Sequence, residues 1–157
     1  MPLGSDYAGQ SCALTRALEI LGERWTLLIV RDAFHGLTRF DEFLSSLGLA
    51  TNMLSTRLQK LVAHGVLERT GPRGTYHLTQ KGRDLFPVIM TLMAWADRYE
   101  PGPDGPEVLI RHTACGHDAG GSLQCEHCGE EITLTDLRVV SASGDALTPP
   151  QRAAWGG

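Results

Sequence analysis

The chain has 157 residues, of which 42% are hydrophobic and 20% are charged, a composition typical of a globular protein. Its length suits one domain with a small appendage, and no apolar run reaches the roughly 18 residues that indicate a membrane span. The N-terminus lacks the pattern of a secretory signal. Because disulfide scaffolds occur mainly in secreted proteins, we do not expect one here. We therefore expect a cytoplasmic protein with no membrane partner, whose four cysteines serve metal or thiol chemistry.

Charge is unevenly distributed along the chain. The formal net charge is −4, which argues weakly against a nucleic-acid partner. Residues 51–83, however, carry six basic side chains against the single acidic side chain of Glu68. Screening limits the influence of exposed charges to about 8–10 Å, so a local basic stretch can bind phosphate on an acidic protein. The alternative is that these charges form an ordinary solvated face.

Two helices are predicted at the start of the chain. Leucines at helical spacing predict a first helix over 12–22, which Gly22 would end. A second helix is predicted over 23–34, and its LLIV run favours burial on several sides. The leucines of the first stripe are Leu14, Leu18 and Leu21.

The next two helices have the pattern of a helix-turn-helix. Thr38 is the predicted N-cap of a short helix, with Asp41 completing the cap, and Gly48 ends it. A further helix is predicted over 50–65. Its predicted core face consists of Leu54, Leu58, Leu61 and Val62.

A β-hairpin and a long helix complete this region. The runs VLERT and TYHLT are predicted strands joined by a glycine-rich tip, and a hairpin directly after a helix-turn-helix is a wing. Thr79 is expected to cap a helix over 80–100, which Pro87 should kink or begin. Its predicted apolar face comprises Leu85, Ile89, Leu92, Met93 and Ala96. The predicted fold class is therefore α+β, mostly α, and it is a winged helix-turn-helix with an extra helix at each end.

The polar face of the second helix of the pair predicts contact with DNA. Side chains in the N-terminal half of such a helix reach base edges in the major groove. Amide and hydroxyl side chains would read bases, while basic side chains and an arginine at the wing tip would hold phosphate. An ordinary solvated face is the alternative for each polar residue taken singly. The predicted DNA contacts are Arg39, Thr51, Asn52, Ser55, Thr56, Arg57, Gln59, Lys60 and Arg73.

Several segments together resemble the HxlR-type transcriptional regulators, a branch of the MarR-related winged helices. They are Cys12 at the start of the first helix, GERWTLLIVRDAFHG, TRFDEF, NMLSTRLQKLVAHGVLERT and YHLTQKGRDL, all within residues 12–100. The resemblance implies a homodimer built from the terminal helices, on a palindromic site of double-stranded DNA. This chain departs from the family in having Ala13 where proline often follows the cysteine. Its wing, RTGPRG, is also short.

Some members of that family sense electrophiles or oxidants through a cysteine at the position of Cys12. Sensing requires a thiolate, and a helix N-terminus with nearby Arg16 would lower the pKa of this thiol. The distance of Cys12 from the other cysteines along the chain favours an intersubunit disulfide or a small-molecule adduct. The alternative is a cysteine that acts only as a small buried apolar residue.

The C-terminal part contains two similar hexapeptides, HTACGH and CEHCGE, which have the pattern of zinc knuckles. They predict a structural zinc site of three cysteines and one histidine. His117 competes with His112 for the fourth place, His127 is a weaker candidate, and relatives with such a tail favour His112. The alternatives are a tail with reduced, metal-free thiols or with a disulfide. The predicted ligands are His112, Cys115, Cys125 and Cys128.

These observations divide the chain into five segments and predict a regulator of transcription. The segments are a flexible tail over 1–11, the DNA-binding domain over 12–100, a linker over 101–107, a zinc-ribbon-like module over 108–140 and a disordered tail over 141–157. We expect a homodimeric repressor and not an enzyme. A small molecule or an electrophile is expected to release this repressor from its operator. The alternatives are a winged helix that binds protein instead of DNA, and a zinc or thiol enzyme.

Overall fold

The computed structural model describes residues 7, 12–106, 108–113, 115–125 and 127–131. It divides into two compact units, Met1–Val108 and Leu109–Gly157, which are described separately. Most of the predicted flexible tail over 1–11, residues 132–140 of the predicted zinc module, and the predicted tail over 141–157 lie outside the described residues. No helix within the described part is long and apolar enough to cross a membrane.

The first unit has the predicted order of helices and strands. Two antiparallel strands form its sheet, with Leu67 opposite Leu78 and Thr70 opposite Thr75. This arrangement confirms a helix-rich fold with a two-stranded wing. The elements are α1 (Ala13–Leu21), α2 (Thr26–Phe34), α3 (Phe40–Leu47), α4 (Thr51–Ala63), β1 (Leu67–Thr70), β2 (Thr75–Leu78), α5 (Gln80–Arg83) and α6 (Phe86–Tyr99).

The hydrophobic core lies between α2, α3, α4 and the sheet. The leucines predicted for the core face of α4, Leu54, Leu58 and Leu61, are completely buried. They pack with Phe43 of α3, whose ring meets Tyr76 of β2 edge to face, with centroids 6.4 Å apart. Burial of each such side chain contributes about 1.5–3 kcal/mol. This core fixes α4 with its opposite face directed outward.

The start of α3 differs from the predicted cap. Arg39 rather than Thr38 is the N-cap residue, and Glu42 rather than Asp41 supplies the capping carboxylate. The amides of Thr38 and Arg39 both donate to Glu42 Oε2 over 2.9 Å, because a side chain at the third helical position reaches back to the free amides. These bonds, the one from Thr38 first, lower the pKa of Glu42.

The predicted C-terminal helix is divided in two. The first turn, α5, ends at Arg83, and α6 begins at Phe86 with Pro87 in its first turn. Proline is tolerated there because the amides of a first helical turn need no partner within the helix. The sequence predicted either a kink or a new start at Pro87, and the second of these is found.

The apolar stripes predicted on α1 and α6 are found, and parts of both are exposed. On α1, Leu14 is 66% exposed and Leu18 is 38% exposed. On α6, Ile89 is buried, but Leu92 is 51% exposed, and other large apolar side chains are exposed beside it. Leu85, Met93 and Ala96 of the predicted α6 face are half-buried, so most of that face turns toward the core. The exposed side chains of the α6 stripe are Val88, Leu92, Trp95 and Tyr99.

Candidate nucleic-acid interface

Helix α4 presents its polar side chains on the face opposite the buried leucines. Gly48 ends α3 with a φ of 63°, a left-handed conformation that glycine adopts readily, and α4 begins three residues later. Of the five predicted base-reading residues, four are exposed and Ser55 is half-buried. The exposed four are Thr51, Asn52, Thr56 and Gln59. The core therefore orients α4 as a reading helix requires.

Short hydrogen bonds within α4 hold several of these side chains. Asn52 Oδ1 accepts a bond from the amide of Met53 over 2.8 Å, and Thr56 Oγ1 donates to the carbonyl of Asn52 over 2.9 Å. Gln59 Nε2 lies 3.4 Å from Ser55 Oγ. Amide and hydroxyl groups offer the donors and acceptors that base edges in the major groove require.

A groove of about 770 Å³ runs between α4, the start of α3 and the wing. It brings together four of the predicted DNA contacts, Arg39, Ser55, Gln59 and Arg73, and adds Arg69 and Asp41. The guanidinium groups of Arg39, Arg69 and Arg73 therefore border a concave surface, and helix α4 forms one of its sides. The predicted contacts that do not line the groove are Thr51, Asn52, Thr56, Arg57 and Lys60.

The wing places one arginine at its tip and a second beneath it. The tip closes with a bond from the amide of Gly74 to the carbonyl of Gly71 over 3.1 Å, and Arg73 is exposed. Arg69 lies 5.7 Å from the centroid of the Tyr76 ring, which is a cation–π distance. A side chain at Gly74 would overlap the guanidinium of Arg69, so glycine lets the tip close over it.

The site assignment from sequence missed Arg69. Two features of the sequence could have indicated Arg69. It belongs to the basic stretch over 51–83, and it lies opposite Tyr76 in the register of the hairpin. The hairpin itself is tied to the loop before α3, because the amide of Tyr76 donates to the carbonyl of Thr38 over 2.7 Å. This bond joins the wing to the helix-turn-helix.

The predicted phosphate contacts differ in their pairing. Arg57 Nη2 lies 2.8 Å from Glu23 Oε2, and only 22% of the Arg57 side chain is exposed. Arg39 lies close to Asp41 and Glu42, at 3.4 and 3.2 Å. Within the described part of the chain, no side-chain partner is recorded for Lys60 or Arg73. Arg73 is therefore an exposed cation at the wing tip without a side-chain partner in the described residues, and phosphate contact by it and by the others stays a prediction.

Cys12 is the N-cap of α1, as its predicted place at the start of the helix requires. Its sulfur lies 2.7 Å from Thr15 Oγ1 and accepts a bond from the Thr15 amide over 3.4 Å. The hydrogen bond with the Thr15 hydroxyl is the main cause of a lowered pKa, and the charge of Arg16 adds a smaller contribution. Cys12 is exposed, so reagents in solution can reach the thiol.

The predicted zinc ligands lie in the second unit as two pairs. His112 Nδ1 and Cys115 Sγ are 3.3 Å apart. The amides of Cys128 and His127, in that order, are the main causes of a lowered pKa at Cys125. Across the described residues, which include every predicted ligand, no group of three or more metal-binding side chains is gathered.

The chain is similar to known regulators of transcription. Residues 20–103 match the family model described as HxlR-like helix-turn-helix. An uncharacterized HTH-type transcriptional regulator of Mycobacterium tuberculosis is 47% identical over 140 residues, which cover 86% of this chain and 87% of the relative. That match necessarily extends beyond residue 103 into the second unit.

Solved structures agree with this family. The chain is similar to PA1607, a candidate transcription factor, with a TM-score of 0.75 and 41% identity over 84% of this chain and 96% of that one. It is also similar to the reduced form of the transcriptional regulator YodB of Bacillus subtilis, with a TM-score of 0.52 and 34% identity over 59% and 99% of the two chains. YodB has also been solved with quinone bound. The polar face of α4, the wing and these similarities identify the chain as a member of the HxlR-like helix-turn-helix family of transcriptional regulators.

Proposed function

We propose that this regulator is a homodimeric repressor that binds a palindromic operator and releases it when Cys12 is modified. The observation that carries the proposal is the arginine-bordered groove between α4 and the wing, which ends at the polar face of α4. In this arrangement Gln59 and its neighbours read base edges in the major groove. Arg73 contacts the phosphate backbone or enters the adjacent minor groove.

The exposed stripes on α1 and α6 support the dimer. Large apolar side chains recur at intervals of four, three and four residues along α6, which is the spacing of a helix–helix contact. Leu14 and Leu18 give α1 a similar exposed edge. A two-fold dimer would present two α4 helices to half-sites about 34–36 Å apart, which matches one turn of DNA.

Two alanine substitutions test the DNA-binding role of this surface. Arg73→Ala should weaken binding to all sequences about equally and lower the salt slope by about one per subunit, because one phosphate contact is lost. Gln59→Ala should cost about 1–3 kcal/mol on the preferred operator only, because base readout is lost. Gel-shift titrations at several salt concentrations, on operator DNA and on scrambled DNA, measure both quantities.

The outcomes separate DNA binding from the alternative of a protein-binding winged helix. Equal losses on every DNA sequence for Gln59→Ala would remove that residue from base readout. A wild-type protein without salt-dependent affinity for any duplex would contradict the proposed function. Gln80→Ala, exposed on α5 and away from both the groove and α6, serves as the matched control and should bind like the wild type.

The surroundings of Cys12 support the proposed switch. The Thr15 hydroxyl and amide both bond the sulfur, which favours the thiolate, and the thiolate is the form that adds to electrophiles. The relative YodB has been solved with quinone bound. We extend this class of inducer to the present chain.

Cys12→Ser should make DNA binding insensitive to quinone and diamide. In the wild type, we expect either reagent to weaken operator binding about 5–150-fold, the usual range for coupling between two sites. Gln80→Ala, which leaves every cysteine in place and is exposed on α5, is the control, and it should keep the full response. Mass spectrometry establishes modification of Cys12 in the same samples. Unchanged operator affinity with fully modified Cys12 would exclude the switch.

A further inference from the structure

The described residues of the two hexapeptides in the second unit make equivalent backbone hydrogen bonds. In the first, the amide of Gly116 donates to the carbonyl of His112 over 2.8 Å, and the amide of His112 donates to the carbonyl of His117 over 2.9 Å. In the second, Gly129 and Cys125 make the equivalent bonds, to Cys125 and Glu130, both over 2.8 Å. The two turns are therefore built alike, although their sequences differ at most positions.

Further features extend this correspondence. Gly116 and Gly129 both have positive φ angles, of 72° and 76°, at equivalent places in the two turns. An antiparallel bridge closes each turn, between Arg111 and Asp118 in the first and between Gln124 and Glu131 in the second. In this alignment His112 corresponds to Cys125, and Cys115 corresponds to Cys128. Each turn thus places one pair of metal-binding side chains at the same two positions.

The geometry separates His112 from its competitor His117. His112 Nδ1 lies 3.3 Å from the sulfur of Cys115, so the two donor atoms already face each other. His117 Nδ1 lies 3.0 Å from the carbonyl oxygen of Cys115, and its ring is engaged with the backbone. His117 also takes the position of Glu130 in the second turn, where no cysteine or histidine stands. His112 is therefore the histidine that the repeated turn presents.

The donor set suits one metal in particular. Three cysteine sulfurs and one imidazole are a usual ligand set of tetrahedral structural zinc, and backbone amides directed at sulfur accompany it in knuckle turns. A hard cation such as magnesium would instead require oxygen ligands.

We propose that the second unit binds one structural zinc ion through His112, Cys115, Cys125 and Cys128. Within the described residues the two ligand pairs are formed separately, and the ion would link the two turns. Four protein ligands leave no open coordination position, so the site stabilises the unit and does no catalysis. The proposal is independent of the proposed function, because it concerns the second unit alone.

Metal analysis of the full chain tests this site. The protein is purified under anaerobic, reducing conditions, and its zinc content is measured by mass spectrometry. We expect about one zinc per chain, and replacement by cobalt should give intense absorption bands typical of tetrahedral thiolate coordination. Protein with less than half an equivalent of zinc, or octahedral cobalt, would overturn the proposal.

Single substitutions test three of the four ligands. Cys115→Ser and Cys128→Ser should each lose the thiolate bands of the cobalt protein, and His112→Ala should weaken metal binding at least tenfold. Cys12→Ser and His117→Ala are the matched controls and should keep one metal. Full metal binding by Cys115→Ser would show that the two turns do not share an ion, and loss in His117→Ala alone would overturn the choice of His112. Circular dichroism of the first unit's helices checks that each variant is folded.

Discussion

Trp95→Asp is expected to convert the protein to a monomer and to lower its operator affinity by about 10²-fold or more. Trp95 is 56% exposed in the middle of the α6 stripe, and its ring lies 5.9 Å from that of Tyr99. In the proposed dimer this position is buried, and an unpaired carboxylate there would be desolvated. A monomer binds only one half-site, and it therefore loses the gain from linking two half-sites.

Light scattering coupled to gel filtration measures the oligomeric state of this variant, and gel shift measures its affinity. Trp95→Phe is the matched control, because it keeps an apolar ring at the same place and should remain a dimer. Circular dichroism should show unchanged helix content in both variants, since the side chain contributes little to the core of one subunit. A monomeric wild type, or a dimeric Trp95→Asp protein, would contradict the assignment of α6 to the interface.

Phe43→Ala is expected to lower the free energy of unfolding by about 3–5 kcal/mol. Phe43 is completely buried between α3, α4 and the sheet, and its loss leaves a cavity. The edge-to-face contact with Tyr76 is also lost, which accounts for about 0.5–1.5 kcal/mol of the total. Since a domain of this size has about 5–15 kcal/mol of stability, the change is a large fraction of it.

Urea unfolding at one fixed protein concentration measures this loss, because dimerisation would make the midpoint depend on concentration. Met53→Ala is the matched control, since Met53 is 41% exposed on α4 and its truncation should change stability by no more than about 0.5 kcal/mol. A loss below 1 kcal/mol for Phe43→Ala would mean that the core collapses around the missing ring.

The order of helices and strands could be predicted because local signals agree along the first 100 residues. These signals act over only a few residues. Leucine spacing predicts the helices, Gly48 ends α3, and the glycines of the wing tip form its turn. The cap of α3 was misassigned by one residue because Asp41 and Glu42 are both acidic. Only the longer side chain reaches the amides of Thr38 and Arg39.

Contacts between distant residues could not be predicted from these signals. Glu23 and Arg57 are 34 positions apart, and their ion pair depends on how α4 packs beside the turn after α1. The place of Arg69 under Gly74 depends on the hairpin register, which the basic run does not reveal. The exposed stripes of α1 and α6 have the same period as core faces, so periodicity could not show which apolar side chains are exposed.

In the ion pair between Glu23 and Arg57, the Glu23 carboxylate occupies the place beside Arg57 that a DNA phosphate would take. In the proposed complex, Arg57 would release a carboxylate oxygen 2.8 Å away and take a phosphate oxygen in its place. A partly exposed ion pair is worth about 0–1 kcal/mol, so the exchange would add little to the affinity. Glu23 would therefore compete with DNA phosphate for Arg57, and it would reduce the contribution of charge on α4 to binding of any DNA sequence.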